Sequence, residues 1–121
     1  MTADIIKDAA DALSAIKDRG IEVMQGWYDK DIGKTHVTLW DLGESEQDFS
    51  NDNAETELHS VQVTIFSKED EVVLAKEIKD SMKTAGFLFE GRNGDDSNPT
   101  DGIYMKAQRF SKTYESEEIQ E

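Results

Sequence analysis

The chain contains no cysteine. Disulfide staples, thiolate metal sites and thiol nucleophiles are therefore excluded, a composition that suits a reducing compartment. No run approaches the roughly 18–20 consecutive apolar residues that a membrane-spanning helix needs. The N-terminal stretch MTADIIKDAADAL carries three acids and one base, the wrong sign for a signal peptide. A soluble intracellular protein without a membrane segment is expected. Positive charge is also scarce. Thirteen Lys and Arg face 27 Asp and Glu, for a formal net charge of −14. That balance argues against a groove that grips nucleic-acid phosphate by neutralising it. It suits an acidic soluble surface, a DNA mimic, or a passage along which DNA slides without adhering.

Histidine is limited to His36 and His59, and the single proline is Pro99. A serine–histidine pair would need one of these rings beside a hydroxyl and an orienting carboxylate. Ser60 follows His59, but neighbours on a strand point to opposite faces. No GxSxG, HExxH or P-loop pattern occurs. Asp95, Asp96, Asn98, Asp101 and Gly102 invite a calcium reading. Counted from Asp96, however, an EF-hand loop would place Thr100 fifth, Asp101 sixth and Ala107 twelfth, where a ligand, a glycine and a glutamate belong. A solvated turn fits better. The residues select no catalytic triad and no specific metal or cofactor site.

What the chain does have is clear patterning. In VQVTIFSKEDEVVLAKEIKDSMK, residues 61–83, Val61, Val63 and Ile65 alternate with Gln62, Thr64 and Phe66, the period of a strand. Ser67 and Asp70 have capping-box spacing. Val72, Ala75, Ile78 and Met82 form a helical stripe over 68–85, ended by Gly86. A first helix is predicted over 2–19, with Thr2 as N-cap, Asp4 in the first turn, a stripe of Ile5, Ala9, Ala12, Leu13 and Ile16, and Gly20 as its stop. Ile21, Val23 and Gln25 suggest a short strand. THVTLWDL (35–42) reads as a better one, with Val37 and Leu39 on one face and His36, Thr38 and Trp40 on the other. The strand ending at Phe66 starts near Glu55, and its early half, with Glu57 and His59, projects past the core. FLFEGR (87–92) and IYMKAQRFSKTYE (103–115) complete the set.

The order α-β-β-β-α-β-β predicts an α+β fold: a mostly antiparallel four- or five-stranded sheet with two helices packed on one face. Residues 1–115 make a single domain, and 116–121 an acidic flexible tail. Gln62, Thr64, Lys106 and Gln108 suggest that the other face is wet. GESEQDFSNDNAETE (43–57) reads as a long polar loop with Phe49 as its only large apolar residue. From Asp41 to Glu57 there are seven acids and no base. Trp27, Tyr28 and Trp40 lie beside polar segments, as packing residues or as interface anchors. Lys106, Arg109 and Lys112 form a basic cluster on the last strand, placed to meet acids of a neighbouring strand or subunit.

Taken together, these segments resemble the tail terminator, or tail-completion, proteins of long-tailed bacteriophages and prophages. The resemblance rests on the helix DIIKDAADALSAIKDR leading to GIEV, the strand HVTLWDL followed by an acidic loop, the strand–helix segment HSVQVTIFSKEDEVVLAKEIKDSMKTAGF, and the closing strand IYMKAQRFSKTYE. It implies a homohexameric ring at the head-proximal end of the tail tube. Such a ring stops tube polymerisation, docks to the head–tail connector protein and lets DNA pass without sticking. The protein would assemble in the host cytoplasm and reside in the virion tail, with itself, the tail-tube protein and the connector as partners. On this reading Asp41, Glu44, Glu46, Asp48, Asp52, Glu55 and Glu57, with Asp95, Asp96 and Asp101, belong to lumen or docking loops. Trp27, Tyr28, Trp40, Phe49, His59, Arg109 and Lys112 are candidate interface residues. Closure of a ring needs two different patches per subunit, and the early part of 55–66 and the late part of 103–115 are candidates for edge pairing. A head–tail joining ring, an acidic DNA-mimic inhibitor and a small hydrolase are the alternative readings.

Overall fold

The computed structural model describes residues 4–26, 34–50, 53–69, 71–92 and 103–115. The chain opens with two short helices, α1 (Ile5–Ala12) and α2 (Ser14–Asp18). The Asp4 carboxylate caps α1, accepting a hydrogen bond from the Lys7 N–H at 3.0 Å. The expected single helix is thus broken, and its cap is Asp4; Thr2 lies outside the described residues. The break falls at Leu13, whose N–H is shared between the carbonyls of Ala9 and Ala10 at 3.1 and 3.2 Å. Such sharing marks a tightened turn. It costs the apolar stripe little, because Ile5, Ala9, Leu13 and Ile16 all remain buried. Gly20, at φ 89°, supplies the left-handed step that ends the segment.

Five strands follow: β1 (Glu22–Gln25), β2 (His36–Ser50), β3 (Asn53–Ser67), β4 (Leu88–Arg92) and β5 (Tyr104–Glu115), with α3 (Val72–Thr84) between β3 and β4. They form one sheet in the order β1-β2-β3-β5-β4. Only β1 and β2 run parallel; the other neighbours are antiparallel. β3 is the central strand, and α3 carries the chain over β5 to the far edge. The result is the expected α+β architecture.

The register divides the sheet into two faces. Val37 and Leu39 of β2, Val61, Val63 and Ile65 of β3, and Phe110 of β5 share the face that packs on the helices. Ile5, Ala9, Leu13 and Ile16 from the first helices, and Leu74, Ala75, Ile78 and Met82 from α3, close that core. Burying each of these larger side chains contributes about 1.5–3 kcal/mol.

Three expectations are corrected. The wet face is not wet: Gln62, Thr64, Lys106 and Gln108 are all buried. Nor do they share a face, since Lys106 and Gln108 pair with Ile65 and Val63 and lie under the helices. Part of their polarity is absorbed locally: the Gln62 amide nitrogen donates to Thr64 Oγ1, and that of Gln108 donates to the Ala75 carbonyl, each at 3.1 Å. Second, Ser67 does not cap α3. It is still in β3, paired with Tyr104, and its hydroxyl oxygen accepts from the Glu69 N–H at 3.1 Å. The helix therefore begins at Val72 rather than near residue 68; Asp70 lies outside the described residues.

The third correction is the largest. The acidic stretch predicted as a loop continues both strands. β2 and β3 stay paired from His36↔Phe66 out to Ser50↔Asn53, leaving only residues 51 and 52 between them. One irregularity interrupts the ladder, where Leu42 is an extra residue between Asp41↔Val61 and Gly43↔Ser60. Gly43 there takes φ 99°, and its N–H donates to Asp41 Oδ1 at 2.8 Å. This is a β-bulge built on glycine.

Candidate functional site

The distal hairpin, residues 43–60, is the most unusual surface feature of the described chain. Its strands alternate, so the bulge decides which positions share a face. An extra residue at Leu42 shifts the parity by one. Glu44 and Glu46 then stand opposite His59 and Glu57, on the same face as Asp41 and Val61. Asp48 and Glu55 have the same parity. Six acidic positions thus fall on one face, the face that carries the helices closer to the core. Glu46 sits directly opposite Glu57, an arrangement of like charges that destabilises a sheet. At the alternate positions Ser45 pairs with Leu58, Gln47 with Thr56 and Phe49 with Ala54.

His59 engages one of these carboxylates. Its Nε2 lies 2.9 Å from Glu57 Oε1, and its ring packs edge-on against Tyr114 at 4.7 Å. Tyr114 is buried and donates its hydroxyl proton to Asp8 Oδ2 at 2.6 Å. Lys112 is half-buried, with Nζ 3.8 Å from the same carboxylate oxygen and above the rings of Phe87 and Tyr114. His59 and Lys112 thus tie the root of the hairpin to α1. His36 is equally enclosed, stacked on Phe66 at 5.4 Å with Nδ1 2.9 Å from the Lys34 carbonyl oxygen.

The other candidate residues separate by place. Trp40 is 48% exposed, and Leu42 at the bulge is also exposed. Arg109 is exposed but points to the opposite face from Lys106 and Lys112, so the basic cluster of β5 is split by strand parity. Trp27, Tyr28, Asp52, Asp95, Asp96 and Asp101, and the tail 116–121, lie outside the described residues. The expected edge-pairing role of 55–66 is corrected: β3 is flanked by β2 and, as far as Thr56, by β5. The edges that no described strand covers are elsewhere. β1 pairs with β2 only through Leu39, so from Trp40 to Ser50 no described strand occupies the outer edge of β2. β4 reaches β5 only as far as Ser111, which leaves the outer edge of Lys112–Glu115 similarly open among the described strands.

A second feature has no counterpart in the sequence reading. Between α3 and the β4–β5 edge lies a groove of about 510 Å³, lined by Lys76, Lys79 and Lys106 over Val72, Ala75 and Phe89. Lys79 Nζ sits 4.2 Å from the centre of the Phe89 ring. Gln108 also lines the groove, and its buried Oε1 has no hydrogen-bond partner. Part of the signal is local, because Lys76 and Lys79 are three residues apart and flank the apolar stripe of α3. Only the placement of Lys106 beneath the helix joins them into a site.

No known protein-family model and no curated protein matches the chain. Among the described residues, no group of three or more His, Asp or Glu side chains could hold a metal ion, and no helix is long and apolar enough to cross a membrane.

Proposed function

We propose that the protein is a structural subunit of a homo-oligomeric ring, of the kind formed by phage tail terminators, that caps a tail tube and admits DNA without binding it. The observation that carries this reading is the distal hairpin. It is an acidic arm, paired in register from Gly43↔Ser60 to Ser50↔Asn53, that extends a packed α+β core, and no described strand occupies the outer edge of its β2 half. Carboxylates held on one face repel a passing phosphate backbone rather than adhering to it. An open edge and an exposed Trp40 are the elements from which a head-to-tail subunit contact is built. On this reading the connector and the tail-tube protein are the partners at the two ends of the ring.

The arm also gives the DNA-mimic reading a specific footing, because same-face acids on a strand recur about every 6.8 Å. The two readings part on oligomeric state and on partner. Negative-stain imaging of the protein mixed with tail tubes should show six-fold rings at tube ends. Uncapped tubes with the protein remaining monomeric would contradict the ring. A stable one-to-one complex with a basic nucleic-acid-binding protein would establish the mimic.

A further inference from the structure

We infer that the lysine-bearing flank of α3, with the apolar groove beside it, is the docking site for an acidic, apolar-anchored polypeptide segment of a partner protein. The inference goes beyond the ring reading and holds whether or not copies of the chain assemble.

The site is built on one row of α3. Val72, Lys76, Lys79 and Lys83 recur at three- and four-residue steps, so they share a flank of the helix. It is not the flank that meets α2, where Glu77 receives Arg19 at 2.6 Å. Lys79 Nζ lies over the Phe89 ring of β4, the last strand of the sheet. Lys106 and Gln108 close the base of the groove and are buried. The surface left for a ligand is therefore Lys76 and Lys79 along the wall, with Val72 and Phe89 beside them. Val72 is 61% exposed, an apolar side chain left uncovered at the groove.

The electrostatics select an acidic occupant. Lys7, Arg19 and Lys112 each lie against a carboxylate of their own chain. Lys76, Lys79 and Lys83 have none within ion-pair distance among the described residues. Glu90 of β4 is committed elsewhere, accepting from the Ser111 hydroxyl at 2.6 Å. The net charge of −14 opposes an acidic partner at long range, but charges beyond about 8 Å are screened at physiological salt. Contact is decided locally, where this flank carries only lysines as charged groups.

The apolar surface selects a polypeptide. A phosphate backbone or a small inorganic anion brings charge without an aliphatic side chain to cover Val72 and Phe89. Spacing agrees. From Lys76 to Lys83 the helix rises about 10.5 Å, and carboxylates at alternate positions of an extended chain stand about 6.8 Å apart. An extended segment with alternating acids sets two of them along the row and turns the intervening side chain to the groove.

The probe is a capped peptide of about six residues in which glutamates alternate with leucines, roughly 20 Å long when extended. Binding is followed by amide NMR and calorimetry. The peptide should shift the amides of Val72, Lys76, Lys79 and Phe89 selectively. Lys76→Gln with Lys79→Gln should weaken binding roughly five- to ten-fold, and Lys76→Arg with Lys79→Arg should retain it. Lys17→Gln with Lys34→Gln removes the same charge elsewhere and should change binding less than about two-fold. Alanine in place of leucine in the peptide should weaken binding. The same spectra check that each variant is folded. No shifts at the named residues, equal loss in the two glutamine pairs, or undiminished binding of the alanine peptide overturns the inference. So does a single-stranded oligonucleotide that binds more tightly at the same residues, the mark of a nucleic-acid surface. Self-association that disappears in the Lys76→Gln, Lys79→Gln protein would make the occupant a second copy and overturn the separate partner.

Discussion

The same two strands, β2 and β3, do opposite things in their two halves. In the proximal half Val37, Leu39, Val61, Val63 and Ile65 are buried against three helices, and Thr38 and Thr64 on the reverse face are buried as well. In the distal half six acidic positions share the helix-side parity with His59, Ser50 and Asn53, and Glu46 stands opposite Glu57 in register. The proximal half is a folding core. No β2 or β3 residue beyond Leu39 and Val61 belongs to the described hydrophobic core, yet the register continues to Ser50↔Asn53. The contrast shows that a strand can be extended well beyond its core when an inner segment pins the alignment. Here Val61 to Ser67 supply the pin and the Gly43 bulge sets the face that the extension presents.

The sharpest way to break this division is to damage the core alone. Phe110 is fully buried opposite Val61 and packs on Phe89 at 5.6 Å. Phe110→Ala should cost about 3–5 kcal/mol in urea denaturation, enough to threaten a small domain. A cost below about 1 kcal/mol would mean that the proximal half is not the folding core.

The bulge is the boundary between the halves, and its removal should have an intermediate effect. At Gly43 an added Cβ would meet nothing within 4 Å. The penalty of Gly43→Ala is therefore backbone strain at φ 99°, about 1–2 kcal/mol. Amide exchange should report that cost as faster opening of residues 44–58, with the protection of Val61, Val63 and Ile65 largely retained. Equal loosening of both halves would show that they are not separable.

The smallest effect belongs to the arm. Glu46→Gln removes one member of the like-charged pair with Glu57, and should raise stability by about 0.2–1 kcal/mol at low ionic strength. The gain should shrink in ~1 M salt, where the screening length is only about 3 Å. A loss of stability would indicate that the acid at 46 is held by a favourable partner.

Much of the core is legible in the sequence. The alternation at 61–66, the helical stripe at Ala75, Ile78 and Met82 and the glycine stops at Gly20 and Gly86 each follow from a local period or a local backbone requirement; Val72, expected in that stripe, is exposed, and Leu74 is buried in its place. The corrected elements share a cause. Residues 43–57 look like a loop because they lack apolar alternation, the usual mark of a strand. Yet Glu44, Glu46 and Asp48 alternate with Ser45, Gln47 and Phe49 in the same period of two. Polar alternation does not reveal a strand by itself, since pairing with β3 is what stabilises it. The expectation of a wet face fails for a related reason. The polarity of Gln108 and Lys106 says nothing about burial when an overlying helix offers the Ala75 carbonyl as a partner. The groove is invisible until α3 is laid over β5, because its lysines come from two elements some thirty positions apart in the sequence.

The central claim, that the core folds and the arm assembles, is tested most directly by shortening the arm. Replacing residues 45–58 with an Asn-Gly turn keeps Glu44 paired with His59 and leaves the helix-packed part of the sheet untouched. Sedimentation velocity of this shortened protein should show a compact monomer at concentrations where the full-length chain assembles. Assembly equal to that of the full-length chain, or a sedimentation coefficient indicating an expanded, unfolded monomer, would contradict the claim.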